Sequence, residues 1–170
     1  LVDRLAGTGR LLHHSIVHPN LPGELDRMAE IVAHCLPNGF KVYTLYGNAQ
    51  DGSGSKNGWM LDDEEFGMPF LQRAQDLGIN IVCAHKGLSG LAPTGSPRDI
   101  GPAAAAFPHL KFLVYHSGYE VPRANGEQES GEGQFRDGRE QQGTDRLVQS
   151  LRDAGIKPGS NVYAELGSTW

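Results

Sequence analysis

Two histidines stand where apolar runs stop. Ile79-Asn80-Ile81-Val82-Cys83-Ala84 leads into His85, and Phe112-Leu113-Val114-Tyr115 leads into His116. A continuous apolar run of this length reads as a parallel strand covered on both faces. Its carboxyl end is where parallel α/β folds place ligands and chemistry. Neutral imidazole gives one nitrogen to a metal ion while a neighbour holds the other. A catalytic zinc takes about three protein ligands and an open position for water, whose pKa falls to roughly 7. One strand-end histidine is more often structural; two on successive strands point to a metal site.

Other polar residues fall into line with these two by the alternation of side chains along a strand. An inward His85 groups with Cys83, Ile81 and Ile79, and an inward His116 with Val114 and Phe112. An inward Glu165 brings Tyr163 and Asn161, leaving Val162, Ala164 and Leu166 to pack against helices. Lys41 shares a face with Tyr43 and Leu45. A lysine inside a buried strand is costly unless it is paired or chemically altered. Carbon dioxide would turn its amine into a carbamate, an anionic oxygen ligand; the plainer reading is a stem that reaches solvent. Glu165 reads as a ligand, a base or an orienting carboxylate. His18 suits a site rim or a turn, His13, His14, His34 and His109 suit structure or solvent, and Trp59 and Tyr46 remain open between pocket and core.

The elements that must position these groups alternate. Strands are expected at Leu11–Val17, Phe40–Tyr46, Ile79–Ala84, Phe112–Tyr115 and Asn161–Leu166. Between them, helices open at Pro22, at a cap from Asp62 or Asp63, at Ser96-Pro97 and at Thr144, and Gly78 and Gly155 close the second and the last. Five strand–helix alternations signal βαβ units. An open doubly wound sheet and part of an eight-stranded barrel both fit. The glycine-rich phosphate loop of a dinucleotide-binding sheet is absent, and polar residues gather at several strand ends, so an incomplete (β/α)8 barrel is expected. A closed barrel takes about 250 residues. Residues 1–170 therefore read as a single partial domain, and the chain from Leu1 to Trp170 as a piece of a longer protein. Gly118 to Gly143, without apolar periodicity, reads as an insertion that is either a mobile lid or disordered.

Composition narrows the partners. The chain is 38% hydrophobic and 21% charged with a net charge of −5, an ordinary globular balance. Mild acidity without a basic cluster argues against nucleic acid and acidic membranes. No apolar stretch approaches the roughly 20 residues of a membrane span. Cys35 and Cys83 are expected as two buried thiols rather than a disulfide. A small-molecule substrate is the expected partner, a homo-oligomer is allowed, and the cytoplasm is only a default location.

Lys41-Val42-Tyr43-Thr44, Cys83-Ala84-His85-Lys86-Gly87 and Val114-Tyr115-His116-Ser117-Gly118 resemble strands four, five and six of the amidohydrolase superfamily. The Ser96-Pro97-Arg98-Asp99-Ile100-Gly101-Pro102 run through Phe107-Pro108 resembles its amidohydrolase-related branch, which includes decarboxylases of the aminocarboxymuconate-semialdehyde type. The resemblance covers Leu11 to Trp170. It implies a metal-dependent (β/α)8 barrel seen from strand three to strand seven, with one or two divalent ions, zinc the expected metal. His85 then matches a metal ligand, and His116 a second-metal ligand or an acid/base group. Lys41 matches the carboxylated lysine of phosphotriesterase-like members, a ligand the decarboxylase-like branch does not use. The family's paired histidines after strand one and its aspartate after strand eight have no counterpart here.

The expected function is a metal-dependent hydrolase in which activated water attacks an amide, ester or lactone-like carbon. Lys86 and Glu165 are candidate substrate contacts, as is the loop after Gly118. A one-metal decarboxylase with His116 as proton donor is the second expectation. A non-catalytic α/β binding module, with both histidines structural, is the third.

Overall fold

A computed structural model describes residues 8–45, 58–87, 92–119 and 143–167. Its strands are β1 (His14–Ile16), β2 (Gly39–Tyr43), β3 (Ile81–His85), β4 (Lys111–Tyr115) and β5 (Val162–Ala164). They form one parallel sheet in the order β1-β2-β3-β4-β5. The order lacks the reversal at which a doubly wound sheet switches direction. Helices α1 (Glu24–Cys35), α2 (Gly67–Asp76), α3 (Ile100–Ala106) and α4 (Gly143–Asp153) fall between the strands. The fold is α/β, as the alternation predicts.

The helix boundaries follow local chemistry. Gly23 takes φ 79°, so the helix expected from Pro22 begins only at Glu24. Asp63 accepts from the backbone N–H of Met60, Phe66 and Gly67 at 2.8, 2.6 and 3.0 Å. It therefore satisfies the turn ahead of α2, and the helix starts at Gly67. Gly78 and Gly155, both with positive φ, end α2 and α4 as expected. Ser96 accepts from Arg98 N at 3.4 Å and opens a 3-10 turn at Pro97–Asp99 that leads into α3.

The apolar core lies between the sheet and the helices. Phe40, Val42, Val82, Ala84, Phe112 and Val114 on the strands meet Met28, Ile31, Phe70, Leu71, Ala74, Ile100, Ala103 and Leu147 from the helices. Full burial of each large side chain contributes about 1.5–3 kcal/mol. Register decides which residues look the other way. Ile16, Lys41, Cys83, Leu113 and Tyr163 form one row, and Tyr43, His85 and Tyr115 the next.

Several expectations are corrected here. Phe112 and Val114 face the helices, so Leu113 and Tyr115 are the β4 residues on the His85 side. Ile79 precedes β3 and joins the helix-side core. Asn161 lies ahead of β5, and its Nδ2 donates to the carbonyls of Ala104, Phe107 and Leu110 at 3.1, 3.2 and 3.0 Å. It closes the end of α3 instead of joining Glu165. Ala164 and Leu166 are exposed, since no described helix covers that end of β5. Cys83 is buried but Cys35, in the last turn of α1, is exposed; both are free thiols. Tyr46 and residues 120–142 lie outside the described residues, and Trp59 is core, edge-on to Phe70 at 6.0 Å. Among the described residues no helix is long and apolar enough to cross a membrane.

Candidate functional site

The face away from the helices carries the polar chemistry. His85, the last residue of β3, stacks on Tyr43 with centroids 5.1 Å apart and planes 25° from parallel. Its other neighbour is His116, whose ring meets it at 4.9 Å and 73°. Burial first, then Lys41 and His116, pull the His85 pKa down to about 4. The ring is therefore neutral at pH 7, the form a metal ligand requires.

His116 reaches this face by a turn that strand alternation does not foresee. His116 and Ser117 take φ of 56° and 52° directly after β4. That left-handed step is uncommon for residues other than glycine and swings the imidazole from the helix side of the strand to the His85 side. Glu165 fastens the turn: its Oε2 accepts from His116 N at 2.9 Å, and its backbone oxygen accepts from Ser117 Oγ at 3.0 Å. The same Oε2 lies 3.7 Å from His116 Nδ1. The His116 backbone N–H is the main reason the Glu165 carboxyl sits below its ordinary range. Gly167 donates to Glu165 Oε1 at 2.6 Å, and a Cβ there would meet His116 Nδ1 at 2.7 Å. A side chain there would displace the Glu165 carboxylate or the His116 ring.

Lys41 lies one row deeper. Its Nζ sits 3.3 Å from the Tyr115 ring centroid and 4.8 Å from that of Tyr43. No hydrogen-bond partner reaches it among the described residues. Burial lowers its pKa to about 8. Beside it, Cys83 Sγ lies 3.3 Å from His14 Nδ1, and Tyr115 Oη lies 3.4 Å from the same nitrogen. Burial pushes the Cys83 thiol up to about 11, so it is protonated. Sequence reasoning left His14 to structure and did not single out Tyr115. The signal for Tyr115 was its place before His116 in the strand; that for His14 was the β1 register, which only pairing supplies.

Lys86, read as a substrate contact, is held elsewhere. Its ammonium is fully buried and donates to Asp99 Oδ2 at 2.6 Å, Thr44 Oγ1 at 3.0 Å and the Thr94 carbonyl at 3.1 Å. Burial pulls Lys86 down and pushes Asp99 up, and their mutual contact opposes both shifts. His18 forms a turn, its carbonyl accepting from Leu21 N at 2.8 Å. A groove of about 360 Å³ on the outer side of α3 and α4, lined by Arg98, Arg146 and Asp153, holds none of the candidates.

Two imidazoles in contact, that of His85 kept neutral by burial, suit two positions of a metal shell. Among the described residues no group of three or more His, Cys, Asp or Glu side chains converges. A catalytic zinc needs about three ligands, so His85 and His116 fit as part of a site. Lys41, as an amine over a tyrosine ring, is no ligand unless carboxylated.

No family model, curated protein or solved structure matches the chain. The resemblance to amidohydrolases stands on its three short strand motifs and the Ser96–Pro108 run alone.

Proposed function

We propose that the chain contributes successive strands of a (β/α)8 barrel and that its open face is part of the active site of a metal-dependent hydrolase. The observation that carries this is the contact of His85 and His116 on neighbouring strand ends, 4.9 Å between ring centroids. The sequential strand order supports the barrel, because a barrel adds each strand beside the last. His85 and His116 would hold the ion, with Lys41 a third ligand only as a carbamate. When bound, the ion would polarise a carbonyl and lower the pKa of water.

The chain's own residues have separable tasks in this reading. Tyr43, stacked on His85, fixes that ring's orientation. Glu165 fixes His116 through its backbone and faces its Nδ1. That carboxylate lies 3.7 Å from His116 Nδ1, the one feature that speaks for the second reading, a one-metal decarboxylase with His116 donating the proton.

Metal analysis of the full-length protein after equilibration with zinc and desalting tests the proposal. Retention of one or two ions is expected, with affinity falling at least about tenfold, roughly 1.4 kcal/mol, in His85→Ala and in His116→Ala. Undiminished retention in both variants would overturn it and leave the binding-module reading. Carbon dioxide release from a ring carboxylate, without hydrolysis of esters or lactones, would select the decarboxylase.

A further inference from the structure

Among the described residues two lysines are buried, and only one has its acceptors. Lys86 has three oxygen acceptors around its ammonium. Lys41 is 6% exposed, and its Nζ has no acceptor among the described residues. An ammonium carries three donors, and taking it out of water without acceptors or a counter-charge is costly. The tyrosine faces at 3.3 and 4.8 Å attract a cation, a contact of about 1–2 kcal/mol. Ring faces, however, offer no lone pairs to N–H groups.

The neighbours do not fill the gap. Cys83 is a protonated thiol held by His14. Glu165 spends its oxygens on the N–H groups of His116 and Gly167. Lys41 points away from the helices, one row beneath Tyr43, His85 and Tyr115. A buried polar atom without a partner among the described residues calls for an explanation, and a binding role is one.

We propose that Lys41 is the floor of a binding site for a small, flat monoanion, a carboxylate whose oxygens take the free N–H groups. One cation, which the Glu165 carboxylate already attracts without bonding it, calls for no more than one negative charge; a phosphate dianion would bring a second with no second cation among the described residues to meet it. The rings of Tyr43, His85 and Tyr115 make the surroundings of the ammonium aromatic, which suits an aromatic body behind the carboxylate. The half-buried Tyr115 ring covers Nζ, so rotation of that ring or of the lysine stem opens the way in. The site is compatible with an ion held by His85 and His116 alone, and a carbamate on Lys41 would exclude it, because the carbamate replaces the ammonium with an anion.

The test uses metal-stripped protein and two probes of one shape, benzoate and benzamide. Binding is read by calorimetry and by the resonances of isotopically labelled lysine. Benzoate is expected to bind saturably and to shift the Lys41 resonance, with benzamide at least about tenfold weaker. Lys41→Met is expected to lose benzoate by a similar factor, and Lys41→Arg to keep it. The arginine variant guards against a methionine variant that folds poorly. Absent benzoate binding, equal binding of the two probes, or unchanged binding by a folded Lys41→Met would overturn the proposal. So would a lysine carbamate signal in labelled bicarbonate that benzoate leaves in place.

Discussion

Lys41 sets two demands against each other at the scale of one residue. Burial lowers its pKa to about 8, below the roughly 10.5 of an unfolded lysine. Between those values the unfolded chain holds a proton that the folded chain has shed. Stability therefore rises as pH climbs from about 8 to 10.5, and below 8 the full penalty applies. Lys41→Met should remove that penalty, raising stability at pH 7 by up to about 3 kcal/mol, less whatever the tyrosine contacts contribute. Urea unfolding at pH 7 and pH 10 checks this, the variant's advantage shrinking at the higher pH. A variant advantage that is the same at both pH values would contradict the burial argument. A residue whose removal stabilises the fold is one that the fold does not need, which is why its binding role is worth testing.

At the scale of elements, Lys86 and Asp99 tie the ends of the strands together. One ammonium reaches Thr44 after β2, Thr94 in the turn ahead of α3, and Asp99 at the start of α3. Asp99 Oδ2 also accepts from Leu61 N at 2.7 Å. Removing one partner strands a buried charge. Lys86→Met is expected to cost about 3–5 kcal/mol, while Lys86→Met combined with Asp99→Leu should recover much of it. Thermal unfolding of the two variants decides; equal losses would mean that the charge pairing is not what holds these segments. Gly87, next in the chain, has φ 90° and lies against the Tyr119 carbonyl, so the end of β3 and the turn after β4 are packed as one unit. That unit brings His85 and His116 together.

At the scale of the whole molecule, the sheet has a covered face and an open one, and side-chain removal should separate them. Phe112 is fully buried on the helix side, whereas Tyr163 is 49% exposed on the other. Phe112→Ala is expected to cost about 3–5 kcal/mol, and Tyr163→Ala under about 1 kcal/mol. Chemical denaturation of both variants measures the difference. Similar losses would show that the open face is covered as deeply as the helix face and that the two-layer description fails.

The sequence by itself determined the order of strands and helices, the glycines that end α2 and α4, and the placing of His85 at a strand end. These are local matters, written in runs of apolar residues and in caps a few positions apart. It could not orient β4, because Phe112-Leu113-Val114-Tyr115 is apolar throughout and carries no alternation to read. The pairing of Leu113 with Cys83 settled that, and the left-handed step at His116 then undid the parity expected for its side chain. Tertiary structure alone decided that Lys86 is hydrogen-bonded to an acid and that Lys41 has no hydrogen-bond partner among the described residues. Both are lysines in or just after a buried strand. What differs is the set of groups that distant segments bring within hydrogen-bonding reach, and no local pattern encodes that.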